Sequence, residues 1–585
     1  MATKPSADVV IVGFGWAGSI AAKELADEGL SVVVLERGGN RTQGETFSTP
    51  RLYDELPYST RNRLAMDLSR ETITFRNNQQ QTALPMRQFG SFNPGSGTAG
   101  SGLTWSGHTF RKLPTDFIIK SHITERYGAG FIPEDMTVQD YGVTYEDLEP
   151  FYDKFEYVAA VSGQAGNLTN GQVAGGNPFE GTRQREYPNP PLPRTHAGNL
   201  FAQASESLGY SPFPVPVANS SQNYINPYGA EFGACQACGH CAAFGCTYSS
   251  KGSAVTAVVP ALRDMPNVEV RYNAYVTQVN TTDDKRQATG VTYINAAGQS
   301  VEQPAQLVIL AAYAYNNPRL MLLSGIGTPY NSETGEGTIG RNYSYQRLTN
   351  IVAFFNGENF NPYVAAGGTA TVIDDFNGDN FDHGPHGFVG GGFIGSFIGG
   401  GLPISYHPTP PNTPKWGSQW KKAVVDSYQT ATGINVHAGC QSYRGNYLDL
   451  DPTYKDAWGL PLLRMTFDFG ENEYKMSNYI MDRATEIVDR MGADNKLEIR
   501  REGPYDITQY QTTHNVGGAI MGSDPNTSAV NRYLQSWDVP NLFVIGSSAF
   551  PQNSGYNPTG TVGALTYWAM DAIKNQYLRN PGALV

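Results

Sequence analysis

The amino terminus carries a glycine motif between two strand-like runs, and no other feature of the sequence restricts the fold as strongly. The apolar, β-branched run 7–12 leads directly into Gly13, Gly15 and Gly18, spaced G-x-G-x-x-G. A helical pattern and a second strand pattern follow, and the second strand ends at Glu36. Gly13 permits a tight turn, Gly15 admits a pyrophosphate close to the backbone, and Gly18 lets the helix pack on the strand. This βαβ unit predicts a dinucleotide site in which Glu36 binds a ribose diol.

Length and charge exclude several classes of protein. The chain has 585 residues, and at roughly 150 residues per domain it allows two to four domains. Its 41 basic against 53 acidic residues give a net charge of −12, which argues against nucleic-acid binding.

The uncharged stretch 387–404 contains eight glycines and a proline, so we do not interpret it as a membrane span. Residues 1–8 lack the features of a secretory signal.

Further strand and helix patterns are spread along the chain. The apolar run 306–312 is typical of another central strand, which implies that the dinucleotide domain is discontinuous in sequence. Helical patterns cover 145–158, 200–208, 471–490 and 562–573. Strand patterns cover 268–279, 307–311 and 542–545.

A cysteine cluster is the sharpest chemical feature. Cys235, Cys238, Cys241 and Cys246 lie within twelve consecutive residues, spaced C-x-x-C-x-x-C-x4-C. One short loop with this spacing can wrap a compact inorganic core, so an iron–sulfur cluster is the favoured interpretation. Structural zinc, which usually takes two separated C-x-x-C pairs, and disulfides or free thiols are the alternatives.

The carboxyl-terminal stretch contains a second group of candidate residues. His514 stands just before a pair of glycines, and Asn557 stands just before a predicted helix. Between them, a strand pattern ends in the small residues Gly546 and Ser547, where the backbone can pass close to a ligand. Taken by itself, a histidine beside glycines is most simply a structural residue.

Together these motifs resemble the glucose-methanol-choline (GMC) oxidoreductases. The resemblance also rests on the glycine-rich segment 95–105, which ends in Trp105, and on the segment 317–327, and it spans essentially the whole chain. Within the family, the cysteine cluster resembles that of the large flavoprotein subunits of bacterial gluconate, fructose, sorbitol and glucose dehydrogenase complexes.

The resemblance implies an α/β (α+β) fold, with a Rossmann-like FAD-binding domain and a GMC-type substrate domain. It implies an FAD-binding domain over 1–130, 235–345 and 506–585, a connecting or covering segment over 131–234, and a substrate-binding domain over 346–505. By position, His514 corresponds to the catalytic base and Asn557 to its partner. The implied FAD-binding residues are Gly13, Gly15, Gly18, Glu36, Gly100, Trp105, Val276, Gly546, Ser547 and Thr559.

Two departures from the family pattern bear on the cofactors. Some relatives attach FAD covalently through a histidine where this chain has Thr104, so we expect non-covalent FAD, although His108 lies close by. Members of these complexes hold a three-iron, 3Fe-4S, cluster with three cysteines, whereas this cluster offers four. The ligands are therefore assigned to the group and not to three chosen thiols.

The expected function is oxidation of an alcohol group of a sugar, sugar acid or polyol, with D-gluconate as the first choice. Hydride would pass to FAD, and single electrons would then pass through the iron–sulfur cluster to an outside acceptor. The resemblance implies a small chaperone-like subunit that carries the export signal and a multihaem cytochrome c that supplies the only membrane contact. It places the complex at the periplasmic face of the inner membrane, with a cytoplasmic location as the alternative. An oxygen-reducing flavin oxidase with structural cysteines and a non-catalytic electron-transfer subunit are the alternative functions.

Overall fold

The dinucleotide motif lies in an eight-stranded sheet of the computed structural model, which describes residues 2–42, 64–364, 368–397 and 406–584. The predicted strand Ala7–Val12 is confirmed with the same bounds, and it pairs in parallel with Val32–Glu36 and Ser300–Leu310. In spatial order the main strands are Val268–Tyr272, Val32–Glu36, Ala7–Val12, Ser300–Leu310, Ala288–Ile294 and Tyr275–Thr281. Ala2–Thr3 and Leu542–Val544 also pair with Ser300–Leu310. The strands of this sheet come from three widely separated parts of the sequence, 2–36, 268–310 and 542–544.

Three helices pack together beside this sheet. Helix Trp16–Asp27 follows the glycine motif, and Thr559–Ala572 packs between it and Tyr145–Val158. Helix Tyr145–Val158 has the predicted bounds because a capping box fixes its amino terminus. The Thr144 hydroxyl accepts a hydrogen bond from the Asp147 amide, and the Asp147 carboxylate accepts one from the Thr144 amide.

A second, antiparallel sheet has two chemically different faces. Its strands in spatial order are Asn495–Ile499, Arg347–Phe354, Ala431–Ala438, Gly392–Phe397, Thr371–Ile373 and Phe213–Pro214. Ile394 and Val436 pack under the helices Glu471–Arg490 and His196–Ser207. The alternation of strand side chains therefore turns Phe393 and His437 to the opposite face, where His437 approaches Gln346, a neighbour of His514.

A smaller sheet and several helices lie outside the two large sheets. A four-stranded sheet contains Tyr447–Lys455, Pro461–Thr466, Ile73–Arg76 and Leu84–Pro85. Further helices are Pro114–Phe117, Ile119–Tyr127, Ala254–Ala257, Val259–Leu262, Asn316–Ser324 and Ser418–Ser427. Within the described ranges, no helix combines the length and the apolar character needed to cross a membrane.

Two of the differences from the predicted patterns have a clear local cause. The single strand predicted over 268–279 is two strands, because Asn273 takes a left-handed φ of +52° and breaks the extended backbone. The helix predicted over 200–208 begins earlier, at His196, because the Thr195 hydroxyl accepts a hydrogen bond from the Gly198 amide and caps it.

The domain boundaries stay a prediction, but the second sheet draws on residues outside 346–505. The strand Phe213–Pro214 pairs with its edge, and the helix His196–Ser207 covers one of its faces. Both come from the predicted connecting segment 131–234, so this segment contributes part of the hydrophobic core beside the second sheet.

Candidate functional site

The three glycines of the dinucleotide motif meet different surroundings. A Cβ atom on Gly13, whose φ is +102°, would lie 2.5 Å from the carbonyl oxygen of Ala311. A Cβ on Gly18 would lie 2.0 Å from the carbonyl oxygen of Gly13, so the helix packs against the turn as the sequence predicts. A Cβ on Gly15 would have no neighbour nearer than 3.9 Å. Gly13 and Gly18 are therefore needed by the protein's own packing, whereas Gly15 borders open space.

Main-chain amides hold the Glu36 carboxylate at the end of its strand. Its Oε2 accepts a hydrogen bond from the Phe14 amide at 2.9 Å. Its Oε1 accepts hydrogen bonds from the amides of Gly38 at 2.8 Å and Gly97 at 3.0 Å. The carboxylate is thereby fixed beside the glycine turn, at the place where a ribose of a bound dinucleotide would lie.

One cavity brings most of the predicted cofactor residues together. It extends from the glycine turn to the carboxyl-terminal residues His514 and Asn557, and Ala242 of the cysteine loop also lines it. The predicted FAD residues that line this cavity are Gly13, Gly15, Glu36, Gly100, Trp105, Val276, Gly546, Ser547 and Thr559. Gly18 lies behind the turn, where it packs the helix.

The cavity wall has the features that a dinucleotide needs. The helices Trp16–Asp27 and Thr559–Ala572 both begin at this wall, and helix N-termini favour negative charge. The buried indole Nε1 of Trp16 has no hydrogen-bond partner among the described residues. Gly546, with a φ of +107°, has nothing within 4 Å of the position of a Cβ atom. These residues fit FAD, for which they offer anion-binding helix ends, an indole donor and close backbone approach.

The surroundings of Gly15 and Gly18 predict opposite effects of substitution. We expect Gly15→Val to leave the thermal stability of the apoprotein near the wild-type value, because its side chain enters open space. It should weaken FAD binding by roughly tenfold or more, since that space is where the pyrophosphate is predicted to lie. Gly18→Ala, the matched change in the same motif, should lower the melting temperature instead. FAD titration and thermal unfolding test both, and full FAD affinity in Gly15→Val would contradict this assignment.

Hydrogen bonds define the state of the His514 ring. The Gln346 side chain donates from Nε2 to the carbonyl oxygen of Gly555 at 2.7 Å, so its Oε1 faces His514. This Oε1 lies 2.5 Å from His514 Nδ1, and Asn557 Nδ2 lies 3.1 Å from His514 Nε2. An amide oxygen only accepts and an amide nitrogen only donates, so Nδ1 carries the proton. The Nε2 lone pair therefore faces Asn557, which is the arrangement of a neutral base.

A second histidine lies against the same glutamine. His437 Nδ1 is 3.4 Å from Gln346 Oε1, and its ring stacks on Phe393 with the centroids 4.6 Å apart. Burial lowers the pKa of His437 well below its ordinary value, and charge on His514 or His108 would lower it further. His437 is therefore neutral at physiological pH and does not add charge beside His514.

No sequence pattern marks Gln346 or His437 as site residues. Gln346 is 168 positions from His514 along the chain, and it stands immediately before the strand Arg347–Phe354. A glutamine beside a strand has no distinctive spacing or composition. Only the alternation of the second sheet, combined with its placement against the first, shows that Gln346 and His437 face the site.

The cysteine cluster lies on a loop without helix or strand. Cys241 is buried, Cys235, Cys238 and Cys246 are half-buried, and no disulfide joins any of these four cysteines. Burial raises the pKa of Cys235 to about 11, and negative charge on the other three sulfurs acts in the same direction. The four sulfurs are thus near enough to repel one another as thiolates. In proteins, a bound metal cation normally neutralises the negative charge of such a group of thiolates. The donor set fits an iron–sulfur cluster in its chemistry.

The arrangement of these side chains does not by itself identify a metal centre. Across the described part of the chain, no three His, Cys, Asp or Glu side chains stand in a metal-binding arrangement. The assignment of Cys235, Cys238, Cys241 and Cys246 as iron ligands therefore stays a prediction.

Family comparison agrees with this geometry. The family model described as GMC oxidoreductase matches residues 142–347 with its amino-terminal part and 442–566 with its carboxyl-terminal part. An FAD binding domain model matches residues 8–49. The chain is 52% identical to the gluconate 2-dehydrogenase flavoprotein of Pantoea cypripedii, over 99% of this chain and 95% of the relative. The chain belongs to the GMC oxidoreductase family.

This GMC oxidoreductase is an FAD-dependent enzyme with further relatives of similar length. It is 27% identical to the fructose dehydrogenase large subunit of Gluconobacter japonicus, over 97% of this chain and 98% of the relative. Its fold matches the crystal structure of pyridoxine 4-oxidase from Mesorbium loti with a TM-score of 0.60 at 16% identity, over 97% of this chain and 99% of that one. At that identity the structural likeness shows the fold alone.

Proposed function

We propose that this GMC oxidoreductase is a dehydrogenase of a sugar acid, with D-gluconate as its substrate. The observation that carries the proposal is that His514, whose two hydrogen bonds place the proton on Nδ1, lines the same cavity as the predicted dinucleotide residues. The resemblance to a gluconate 2-dehydrogenase flavoprotein over nearly the whole of both chains supports the choice of substrate.

The chain's own residues can hold and deprotonate an alcohol. When bound, FAD supplies the acceptor for the hydride that leaves the carbinol carbon. An alcohol oxygen that lies beside this pair, within reach of both nitrogens, would donate its proton to His514 Nε2 and accept a hydrogen bond from Asn557 Nδ2. In the imidazolium that forms, Nδ1–H still donates its hydrogen bond to Gln346 Oε1, so the positive charge develops beside a fixed amide dipole. The hydroxyl proton thus resides on His514 while the alcohol becomes a carbonyl.

Asn557 offers a second polar contact. Its Oδ1 is buried and has no hydrogen-bond partner among the described residues. A buried carbonyl oxygen without a donor costs free energy, and a neighbouring hydroxyl of a polyhydroxy substrate would satisfy it. An asparagine can orient two hydroxyl groups in this way without titrating near neutral pH.

We further propose that the cysteine loop holds an iron–sulfur cluster, of the 3Fe-4S type, that carries single electrons away from the flavin. The loop touches the cavity through Ala242, and the Ala243 amide donates a hydrogen bond to the Thr104 carbonyl at 2.7 Å. The Asn219 side-chain amide donates to Cys241 Sγ at 3.2 Å, a contact that would stabilise negative charge on this sulfur. These contacts support an electron exit beside the cavity.

The substrate is tested by anaerobic reduction of the flavin. We expect D-gluconate to bleach the FAD absorbance faster than D-fructose, D-sorbitol or D-glucose at equal concentrations. Reduction by another of these compounds would correct the substrate but keep the reaction. If none of them reduces the flavin, oxidation of this class of alcohol is wrong.

Iron and acid-labile sulfide, measured on protein purified with its partners, test the electron exit. About three irons per flavin, with an electron paramagnetic resonance signal in the oxidised state, would support the 3Fe-4S cluster. Active, flavin-replete protein that lacks iron and sulfide, and whose reduced flavin is rapidly reoxidised by air, would support the oxidase alternative instead.

We also propose that the enzyme works at the periplasmic face of the inner membrane, with a small exported subunit and a multihaem cytochrome c as partners. The similarity to a fructose dehydrogenase large subunit supports a multi-subunit assembly. Cell fractionation and co-purification with haem staining test this. Activity confined to the cytoplasm, in a protein that purifies without haem, would contradict it.

A further inference from the structure

A lysine joins the cysteine loop to the cavity wall. Lys251 is only 1% exposed, and its Nζ donates hydrogen bonds of 2.8 Å to three main-chain carbonyl oxygens. These oxygens belong to Trp105, Cys241 and Phe244. Two of the acceptors are in the cysteine loop, and the third is in the segment that borders the predicted flavin site.

The number of acceptors indicates the protonation state of this lysine. An ammonium has three N–H donors, and three carbonyl oxygens at 2.8 Å match them. A neutral amine would turn its lone pair toward one of these oxygens, which is unfavourable. Lys251 thus brings a positive charge into the interior, where a charge acts more strongly on its neighbours than it does in water.

Two hydrogen bonds join Trp105 to Lys251 and its neighbour Gly252. While Lys251 Nζ donates to the Trp105 carbonyl, the Trp105 indole Nε1 donates to the carbonyl of Gly252 at 2.8 Å. Trp105 and Ser106 line the cavity on one side, and Ala242 lines it from the cysteine loop. The Lys251 ammonium therefore contacts both the segment that borders the predicted flavin site and the cysteine loop.

We propose that Lys251 is a positioning residue that fixes the cysteine loop against the flavin cavity and raises the reduction potential of the thiolate-bound centre. The inference rests on the proposed iron–sulfur cluster. Each electron that enters the centre comes from the alcohol oxidised in the cavity, and two are released for each alcohol. An added electron makes the centre more negative, so a nearby positive charge stabilises its reduced form. Net charge and hydrogen bonding around the sulfurs are established controls of such potentials.

Three substitutions separate charge from geometry. Lys251→Met removes the charge and the hydrogen bonds, Lys251→Gln keeps a neutral donor, and Lys251→Arg keeps the charge. Lys154→Met is the matched control, because Lys154 pairs with Glu24, which retains Lys574 as a second partner at 2.6 Å. All are made in the full holoenzyme with its partner subunits.

The measurements are the midpoint potential of the centre, by redox titration followed with electron paramagnetic resonance, and iron per flavin. We expect Lys251→Met and Lys251→Gln to shift the potential to more negative values, with Lys251→Arg and Lys154→Met near the wild-type value. Lys251→Met should also contain less iron per flavin than Lys251→Arg. If Lys251→Met does not fold, the potential of Lys251→Gln decides.

Two results would overturn the inference, and they are distinguishable. A normal centre in the wild type with an unchanged potential in the neutral variants would refute the role of Lys251 alone. A wild-type protein without iron and sulfide would refute the proposed cluster, and the role of Lys251 with it.

Discussion

We expect His514→Ala to lower kcat for the alcohol by about 10²- to 10⁴-fold, the range that a positioned general base contributes. The loss should appear in the rate of flavin reduction under anaerobic conditions, because His514 Nε2 is the atom placed to take the hydroxyl proton. FAD content should stay at the wild-type level, since the glycine turn and Glu36, which are predicted to hold the dinucleotide, are unchanged.

His196→Ala is the control for this change. His196 is an exposed histidine paired with Glu358 at 2.6 Å, and it does not line the cavity. Its removal should leave the rate of flavin reduction unchanged. If His514→Ala reduces its flavin at the wild-type rate, then His514 is a structural residue and the electron-transfer alternative gains support.

The second large effect concerns the pH dependence of Gln346→Glu. A carboxylate in place of Oε1 would lie against Nδ1 of His514 and stabilise the imidazolium, raising the histidine pKa by about 1 to 3. The base acts only when neutral, so activity is lost below the raised pKa and returns as the pH rises through it. At the acidic end of the profile the rate should therefore fall by about 10- to 1,000-fold, with recovery in alkaline buffer.

Gln346→Met separates this charge effect from loss of the hydrogen bond. It has a similar volume but gives Nδ1 no oxygen acceptor, so His514 is free to carry its proton on Nε2. We expect a lower kcat with no alkaline recovery. Identical pH profiles of kcat/KM in Gln346→Glu and the wild type would show that Gln346 does not control the base.

Much of the fold could be predicted where the local signal was complete. The helix Tyr145–Val158 combines apolar periodicity with a capping box, and its bounds were predicted correctly. The strand Ser300–Leu310 was recognised only over its apolar end, because its first half alternates polar residues and pairs with the antiparallel arm of the sheet. The break at Asn273 depends on a single backbone angle that composition does not reveal.

The residues of the candidate site also fall into two groups, those that a sequence pattern marks and those that none marks. Gly15, Glu36, His514 and Asn557 could be selected because motifs or family positions mark them, and the cavity contains all four. Gln346 and Lys251 could not, because each acts through atoms that are distant in sequence or belong to the main chain. Such residues have no sequence pattern of their own, and their roles can be inferred only from the hydrogen bonds that they make in the folded chain.

The side chains that contact His514, the proposed base, come from different parts of the molecule. His514 and Asn557 belong to the carboxyl-terminal segment, whereas Gln346 stands at the start of the second sheet. A chimaera that exchanges the segment 346–505 to change substrate preference would therefore also exchange the acceptor that sets the His514 tautomer. Grafts that retain Gln346 should stay active while selectivity changes, and grafts that replace it should lose turnover before any new substrate can be tested.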